Sequence, residues 1–260
     1  MKARRRFGQH FLHDPGVLRR IVAAIAPVAA DVVVEIGPGQ GALTRLLLDR
    51  LPRLTAIEID RDLAAGLAAE FPAGRLNLIV ADALECDFAA FPAGLRVVGN
   101  LPYNVSTPLL FHLARFAGRV RDMHFMLQRE VVQRMVAEPS TPEFGRLTVM
   151  LQTRFTMRKL FDVAPGAFRP PPKVQSAVVR LIPLQAKLAC DEAVFEALVR
   201  KAFSARRKTL RNALRLEPQD YIDLGIDPGL RPENLAPADY VRIARQVAPN
   251  TARAQGGFSR

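Results

Sequence analysis

Asn100-Leu101-Pro102-Tyr103 carries the clearest chemistry in this chain, because it follows the apolar run at 95–99 and so sits where a strand gives way to a loop. Asn100 offers a side-chain carbonyl, Leu101 a backbone carbonyl fixed by the following proline, and Tyr103 an aromatic face. This set suits a planar amine that is held by its hydrogens and stacked on a ring. On its own, Asn-x-Pro-Tyr is an ordinary turn after a strand. Its meaning depends on a glycine-rich turn and two spaced acids upstream.

The run Val32-Val-Val-Glu-Ile36 leads into Gly37-Pro-Gly-Gln-Gly41 and then into a helical pattern over 42–51. Glycines at such a turn let backbone approach a ligand over a helix N-terminus. Gly37, Gly39 and Ala42 satisfy the dinucleotide fingerprint, and Glu58 stands where a ribose-binding acid is expected, so this motif leaves a dehydrogenase open. Three features favour S-adenosylmethionine. Its carboxylate and amine need a turn but no pyrophosphate cradle. Glu58 at the end of the second strand can accept both ribose hydroxyls, and Asp82 after the third can accept from the adenine amino group. Either acid alone reads as a solvated loop residue; the ordered series at carboxyl ends of successive strands is what carries the argument. With Asn100 to Tyr103 after the fourth strand, the implied reaction is methyl transfer to nitrogen.

The elements that must position these residues alternate. Strands are expected at 32–36, 54–59, 76–80, 95–99 and 123–127, with amphipathic helices between them, which predicts α/β architecture with a parallel sheet. Two later strands are expected at 149–161 and 176–182, separated by Phe168-Arg-Pro-Pro-Pro-Lys173 and able to form an edge hairpin. After Pro183 the pattern becomes helical, at 192–203, 206–216 and 238–247. The chain is therefore divided into a Rossmann-like domain of the class I methyltransferase type at 1–184 and a small all-α domain at 185–260, with a disordered tail expected at 249–260.

Thirty-seven Lys and Arg against 25 acids give a formal charge of +12, the footprint expected of a partner that carries phosphates. Cys86 and Cys190 have no disulfide or zinc spacing, and with His10, His13, His112 and His124 they form no metal-ligand set, which disfavours a zinc deaminase. No apolar run approaches the ~18 residues of a membrane span. A cytoplasmic monomer is expected. Ser106 is read as the cap of a helix running to Phe116, with His112 and His124 structural.

With these residues in place the chain resembles the ribosomal RNA adenine dimethylases. The likeness rests on Gly8-Gln-His-Phe-Leu12, Glu35-Ile-Gly-Pro-Gly39, Ile57-Glu-Ile-Asp60, Ala81-Asp-Ala83, Gly99-Asn-Leu-Pro-Tyr-Asn-Val-Ser-Thr107, 123–131, 168–180 and 203–214. The resemblance implies cofactor contacts around His10, Leu12, Gly37, Glu58, Asp82 and Asn100; His10 is a variation, since many relatives carry Asn there. It implies a substrate of two adjacent adenosines in a hairpin loop near the 3′ end of small-subunit rRNA, each dimethylated on its exocyclic nitrogen. Family members acting on large-subunit rRNA are the runner-up, and a non-catalytic assembly or transcription factor of this fold is the alternative from another class. Phe168, by resemblance, clamps the base opposite Tyr103; fold logic equally makes it a core anchor. If 200–215 is one helix, Arg200, Arg207, Lys208, Arg211 and Arg215 share one face, which with Arg206 reads as an rRNA-binding surface or as a merely solvated one. Arg4, Arg5 and Arg6 are the second basic cluster.

Overall fold

The computed structural model describes residues 10–185 and 190–255. Contacts divide the chain into two units, one running to Val132 and resuming over Thr156–Pro183, the other formed by Gln133–Phe155 and the chain from Leu184 onward.

The first unit is an α/β sheet protein. Its elements in chain order are β1 (Phe11–Leu12), α1 (Pro15–Ile25), β2 (Val33–Ile36), α2 (Ala42–Leu48), β3 (Leu54–Glu58), α3 (Arg61–Glu70), β4 (Leu76–Val80), β5 (Leu95–Asn100), α4 (Ser106–Ala114) and β6 (Val120–Gln128). After α5 (Arg129–Met135) the chain passes through α6 (Arg146–Gln152), which belongs to the second unit, and returns as β7 (Phe155–Val163), β8 (Phe168–Arg169) and β9 (Ser176–Pro183). The seven-stranded sheet has the order β4-β3-β2-β5-β6-β9-β7, with β2 to β6 parallel and β9 antiparallel to β6. Because β2 is buried on both faces, its residues read as one continuous apolar run with a single acid. The order reverses beside β2. That is the switch point where open α/β sheets form a ligand crevice. A dinucleotide-binding sheet continues in the order 3-2-1-4-5-6; here an antiparallel strand is inserted before the last.

Local chemistry fixes the helices. Asp14 caps α1 by accepting the Val17 N–H at 2.9 Å with Pro15 in the first turn, and Asp60 caps α3 by accepting from Asp62 at 3.0 Å. The C-terminal end of α1 is held by a buried guanidinium. Arg96, 3% exposed, takes Asp122 through two 2.9 Å bonds and Asp31 through one of 2.6 Å, and donates to the Ile25 carbonyl at 2.5 Å. Against burial, which would raise it, the neighbouring His124 and Arg96 hold the Asp122 carboxyl down to about 2.

The second unit is built from α6, α7 (Glu192–Ser204), α8 (Leu210–Leu214), α9 (Pro218–Leu224) and α10 (Pro237–Gln255). Its core stacks Phe203 on Tyr240 at 5.8 Å and places Phe144 at 6.3 Å from Phe203, while the Tyr240 hydroxyl donates to the Pro232 carbonyl at 2.6 Å.

Three expectations need correction. The strand expected at 149–161 begins only at Phe155, because 146–152 is the helix α6, buried from Leu147 to Leu151 and so lacking a polar face. The helix expected at 206–216 is reduced to Leu210–Leu214. α10 continues to Gln255, past the start of the expected tail; 256–260 lie outside the described residues.

Candidate active site

A cleft partly open to solvent lies at the carboxyl ends of β2 to β5, lined by His10, Gly37, Gly39, Glu58, Asp82, Asn100, Leu101, Pro102 and Tyr103 among others. Nine residues expected from the sequence are thus brought together. The turn after β2 works because Gly37 and Gly39 hold positive φ angles of 66° and 59°, and a Cβ on Gly39 would lie 3.1 Å from the Phe11 ring. Gly99 is needed for a different reason: its missing Cβ would lie 2.4 Å from the Ile36 carbonyl oxygen. That close approach seats Asn100 beside the turn. The sequence contains Gly99 in a motif but gives no sign of this packing.

Glu58 is buried, and each carboxylate oxygen already takes one backbone N–H, Oε2 from Gly39 at 3.0 Å and Oε1 from Asp60 at 2.9 Å. Burial raises its pKa and these bonds oppose the rise. Each oxygen keeps a further lone pair for a ligand. Asp82 uses Oδ1 to accept the Leu84 N–H at 2.9 Å, which turns the loop and presents the carboxylate to the cleft.

The Asn100 amide is oriented by its neighbour. Its Nδ2 donates to the His10 carbonyl at 3.0 Å, and since a carbonyl can only accept, Oδ1 is left as the free acceptor. The Leu101 N–H is tied to Met126 at 3.2 Å, while its carbonyl accepts no bond among the described residues. Tyr103 is held at three points. Its hydroxyl bonds Ser176 Oγ at 2.6 Å, its carbonyl accepts from Ser106 Oγ at 3.1 Å, and His10 stacks on its ring at 5.6 Å and 28°. Burial raises the Tyr103 pKa. Ser106 is therefore not a cap: it is the first residue of α4, and its hydroxyl turns back to the loop that holds Tyr103. Ser176, fully buried at the start of β9, is a site residue that the sequence does not reveal.

Other candidates fall elsewhere. Leu12 and Phe168 are 7% and 2% exposed, pair with each other across β1 and β8, and belong to the hydrophobic core rather than the cleft lining. Phe168 thus takes the core-anchor role. Arg4, Arg5 and Arg6 lie outside the described residues. The shared basic face over 200–215 does not form, because α7 ends at Ser204, a turn follows, and α8 starts at Leu210. Arg206 is drawn to Glu233 at 2.5 Å and the Pro142 carbonyl at 2.7 Å; Arg200, Arg207, Lys208, Arg211 and Arg215 are exposed.

Glu35 lies behind the glycine turn, fully buried, with Thr44 Oγ1 donating to it at 2.7 Å, and burial pushes its pKa up to about 7. His112 bonds the Cys86 carbonyl at 2.8 Å and packs edge-on to Phe88 and Phe116, a structural role. No cluster able to hold a metal ion occurs among the described residues, and no helix there is long and apolar enough to cross a membrane.

Among the described residues the cleft lining contains two carboxylates and no lysine or arginine. It suits a nucleoside without phosphates, read through its hydroxyl and amino hydrogens, better than a dinucleotide. The fold and this lining define a methyltransferase of the Rossmann-like class. Residues 1–248 match the ribosomal RNA adenine dimethylase family, and the chain belongs to it. It is 60% identical to the ribosomal RNA small subunit methyltransferase A of Aromatoleum aromaticum, over 97% of both chains. It is 59% identical to the protein of that name from Thiobacillus denitrificans, over 94% of this chain and 98% of the relative. Among solved structures it is similar to a dimethyladenosine transferase from Plasmodium falciparum (26% identity, TM-score 0.79, 93% and 98% covered). It is also similar to a 23S rRNA methyltransferase (28% identity, TM-score 0.68, 90% and 97% covered).

Proposed function

We propose that this protein uses S-adenosylmethionine to dimethylate the exocyclic N6 amines of two adjacent adenosines in the hairpin loop near the 3′ end of small-subunit rRNA, acting on an immature subunit. The observation that carries this reading is the meeting in one cleft of two carboxylates with an acceptor pair and an aromatic ring, with no cationic side chain among the described lining residues. Glu58 would hold the ribose hydroxyls of the cofactor and Asp82 its adenine amino group, with Gly37 and Gly39 admitting the rest against bare backbone. When bound, the cofactor supplies an electrophilic methyl group.

The chain's own residues then act on the substrate. An adenine amine is a weak nucleophile because its lone pair is delocalised into the ring. Asn100 Oδ1 and the Leu101 carbonyl accept its two hydrogens, draw them out of the ring plane and concentrate the lone pair on nitrogen. The same dipoles stabilise the positive charge that develops there. The Tyr103 ring adds stacking and a cation–π attraction of ~0.5–2 kcal/mol. The base must be unstacked to enter, and a hairpin loop lowers that cost. Arg200, Arg207, Lys208, Arg211 and Arg215 supply the phosphate contacts, with Arg4, Arg5 and Arg6 as a second basic cluster. We place the protein in the cytoplasm as a monomer.

The small-subunit substrate is favoured over the large-subunit one by the higher identity to relatives named for the small subunit. Incubation with methyl-labelled cofactor and either immature small or immature large subunits, followed by nuclease digestion, decides between them. Labelled dimethyladenosine from the small subunit alone is expected; label in the large subunit, or none in either, rejects the reading.

A further inference from the structure

Lysine and arginine are missing from the described lining of the cleft, yet they occur on its rim. On the Tyr103 side the rim is the loop 169–175, whose Pro170, Pro171 and Pro172 lack an N–H for a strand ladder and restrict the backbone. Both ends of the loop are tied to the residues around the tyrosine ring. The Pro170 carbonyl accepts from His10 Nδ1 at 2.8 Å, and the His10 ring stacks on Tyr103. At the other end Gln175 precedes Ser176, which bonds the Tyr103 hydroxyl. Pro172 is buried in the middle, while Arg169, Lys173 and Val174 are exposed. Arg169 and Lys173 form no ion pair or side-chain hydrogen bond among the described residues. Arg129, directly after β6, fastens the loop: its N–H donates to the Gln175 carbonyl at 2.9 Å and its Nη1 to Gln175 Oε1 at 2.7 Å. The carboxylate beside it, Asp162, comes only to 3.9 Å and is shared with Lys159 at 3.2 Å. Arg96 and Arg206, by contrast, hold carboxylate oxygens at 2.6 and 2.5 Å. A guanidinium bonded to a neutral amide, with its side chain 43% exposed, remains available to an anion.

Resting on the methyl-transfer reading above, we propose that Arg129, Arg169 and Lys173 form a phosphate-binding rim that grips the rRNA backbone beside the target adenosine. An adenosine whose amine is innermost, at Asn100, leaves its sugar and phosphates at the mouth of the cleft. The spacing agrees with this. Met126 pairs in register with Asn100, and Arg129 lies three residues further along, ~10 Å at ~3.3 Å per residue, a span comparable with that from an adenine amine to the phosphates of its own nucleotide. The segments 129–130 and 159–173 together hold four cations and two acids. Val174, 46% exposed next to Lys173, offers an apolar contact to a sugar or a neighbouring base. Because the prolines fix the loop before RNA arrives, little conformational entropy is lost when its cations meet phosphate. This rim belongs to the sheet unit and is separate from the basic residues of 200–215, which belong to the helical one.

Equilibrium binding of the full chain to immature small subunits, followed against salt, tests the rim. Arg169→Gln combined with Lys173→Gln should flatten the slope of log affinity against log salt by roughly 1.4 to 1.8 units, and adding Arg129→Gln by roughly 0.7 to 0.9 more. Affinity for S-adenosylmethionine, measured by calorimetry, should stay at the parental value. A parental salt slope in the double variant, or a loss of RNA affinity without any change of slope, overturns the proposal. The place is read by an iron chelate attached to Lys173→Cys in a Cys86→Ser, Cys190→Ser background. Hydroxyl-radical cleavage is expected beside the adenosines that the parent methylates; cleavage only elsewhere in the rRNA, or none, overturns it. Absence of dimethyladenosine with the parent itself is a failure of the methyl-transfer reading instead, and the salt slope then still decides whether the rim binds RNA.

Discussion

Each oxygen of Glu58 is pinned by one backbone N–H, so the acid is aimed before any ligand arrives. Replacing it with Ala should weaken S-adenosylmethionine binding by ~1–3 kcal/mol, read by calorimetry on the folded variant, and tight NAD binding by the parent would contradict the assignment. Tyr103 and Ser176 form one unit through their 2.6 Å bond. Tyr103→Phe and Ser176→Ala should each lower turnover several-fold with little change in RNA affinity, and the double variant should be no worse than either single. Additive losses would show that the two side chains act separately. At this scale the sequence revealed groups that line the cleft, because Asn100, Glu58 and Asp82 end successive strands. It did not reveal the groups that hold them. Ser176 is 73 residues from Tyr103 and looks like any serine at a strand start, and the His10 contact to Pro170 spans 160 residues.

Among the elements, β2 and β5 approach so closely at Ile36 and Gly99 that a methyl group on Gly99 has no space. Gly99→Ala should destabilise the protein by ~1–3 kcal/mol in denaturant unfolding and lower methyl transfer as well, since Asn100 must move with the strand. Glu35 ties β2 to α2 through Thr44, and its pKa near 7 in the fold lies above the ordinary carboxylate value. An acid whose folded pKa is raised contributes stability that is complete below its unfolded pKa and lost as pH rises through the folded one. Stability should therefore decline from about pH 4.5 to beyond pH 7, and Glu35→Gln should flatten that decline; an unchanged profile would show that Glu35 is not charged and uncharged across this window. Strand positions from β2 to β6 were legible because apolar runs between turn residues have few other readings. α6 was not, since Leu147 to Leu151 are all buried and a helix without a polar face reads as a strand. Arg96 was equally opaque: a strand arginine suggests an exposed edge, yet here it is buried against α1.

Across the whole molecule, the +12 charge points to a phosphate-bearing partner, although the single basic helix expected from the sequence does not exist. The local composition favours helix throughout 200–215, and tertiary contacts override it: Arg206 turns to Glu233 and Pro142, and the chain breaks between α7 and α8. The salt test does not depend on one helix. Replacing Arg207, Lys208 and Arg211 together should flatten the slope of log affinity against log salt by roughly 2 to 3 units for immature subunits, without changing cofactor affinity. A parental slope would move the RNA site to the 4–6 cluster. The central claim is narrower than any of these, namely that the Asn100 carbonyl acts on the amine during methyl transfer. Single-turnover kinetics with immature small subunits at saturating cofactor and RNA, read as dimethyladenosine formed, tests it most directly. Asn100→Ala should slow that step by about 10²-fold or more while RNA affinity changes little, as for removal of one aligned transition-state partner; a near-parental rate at saturation would contradict the account.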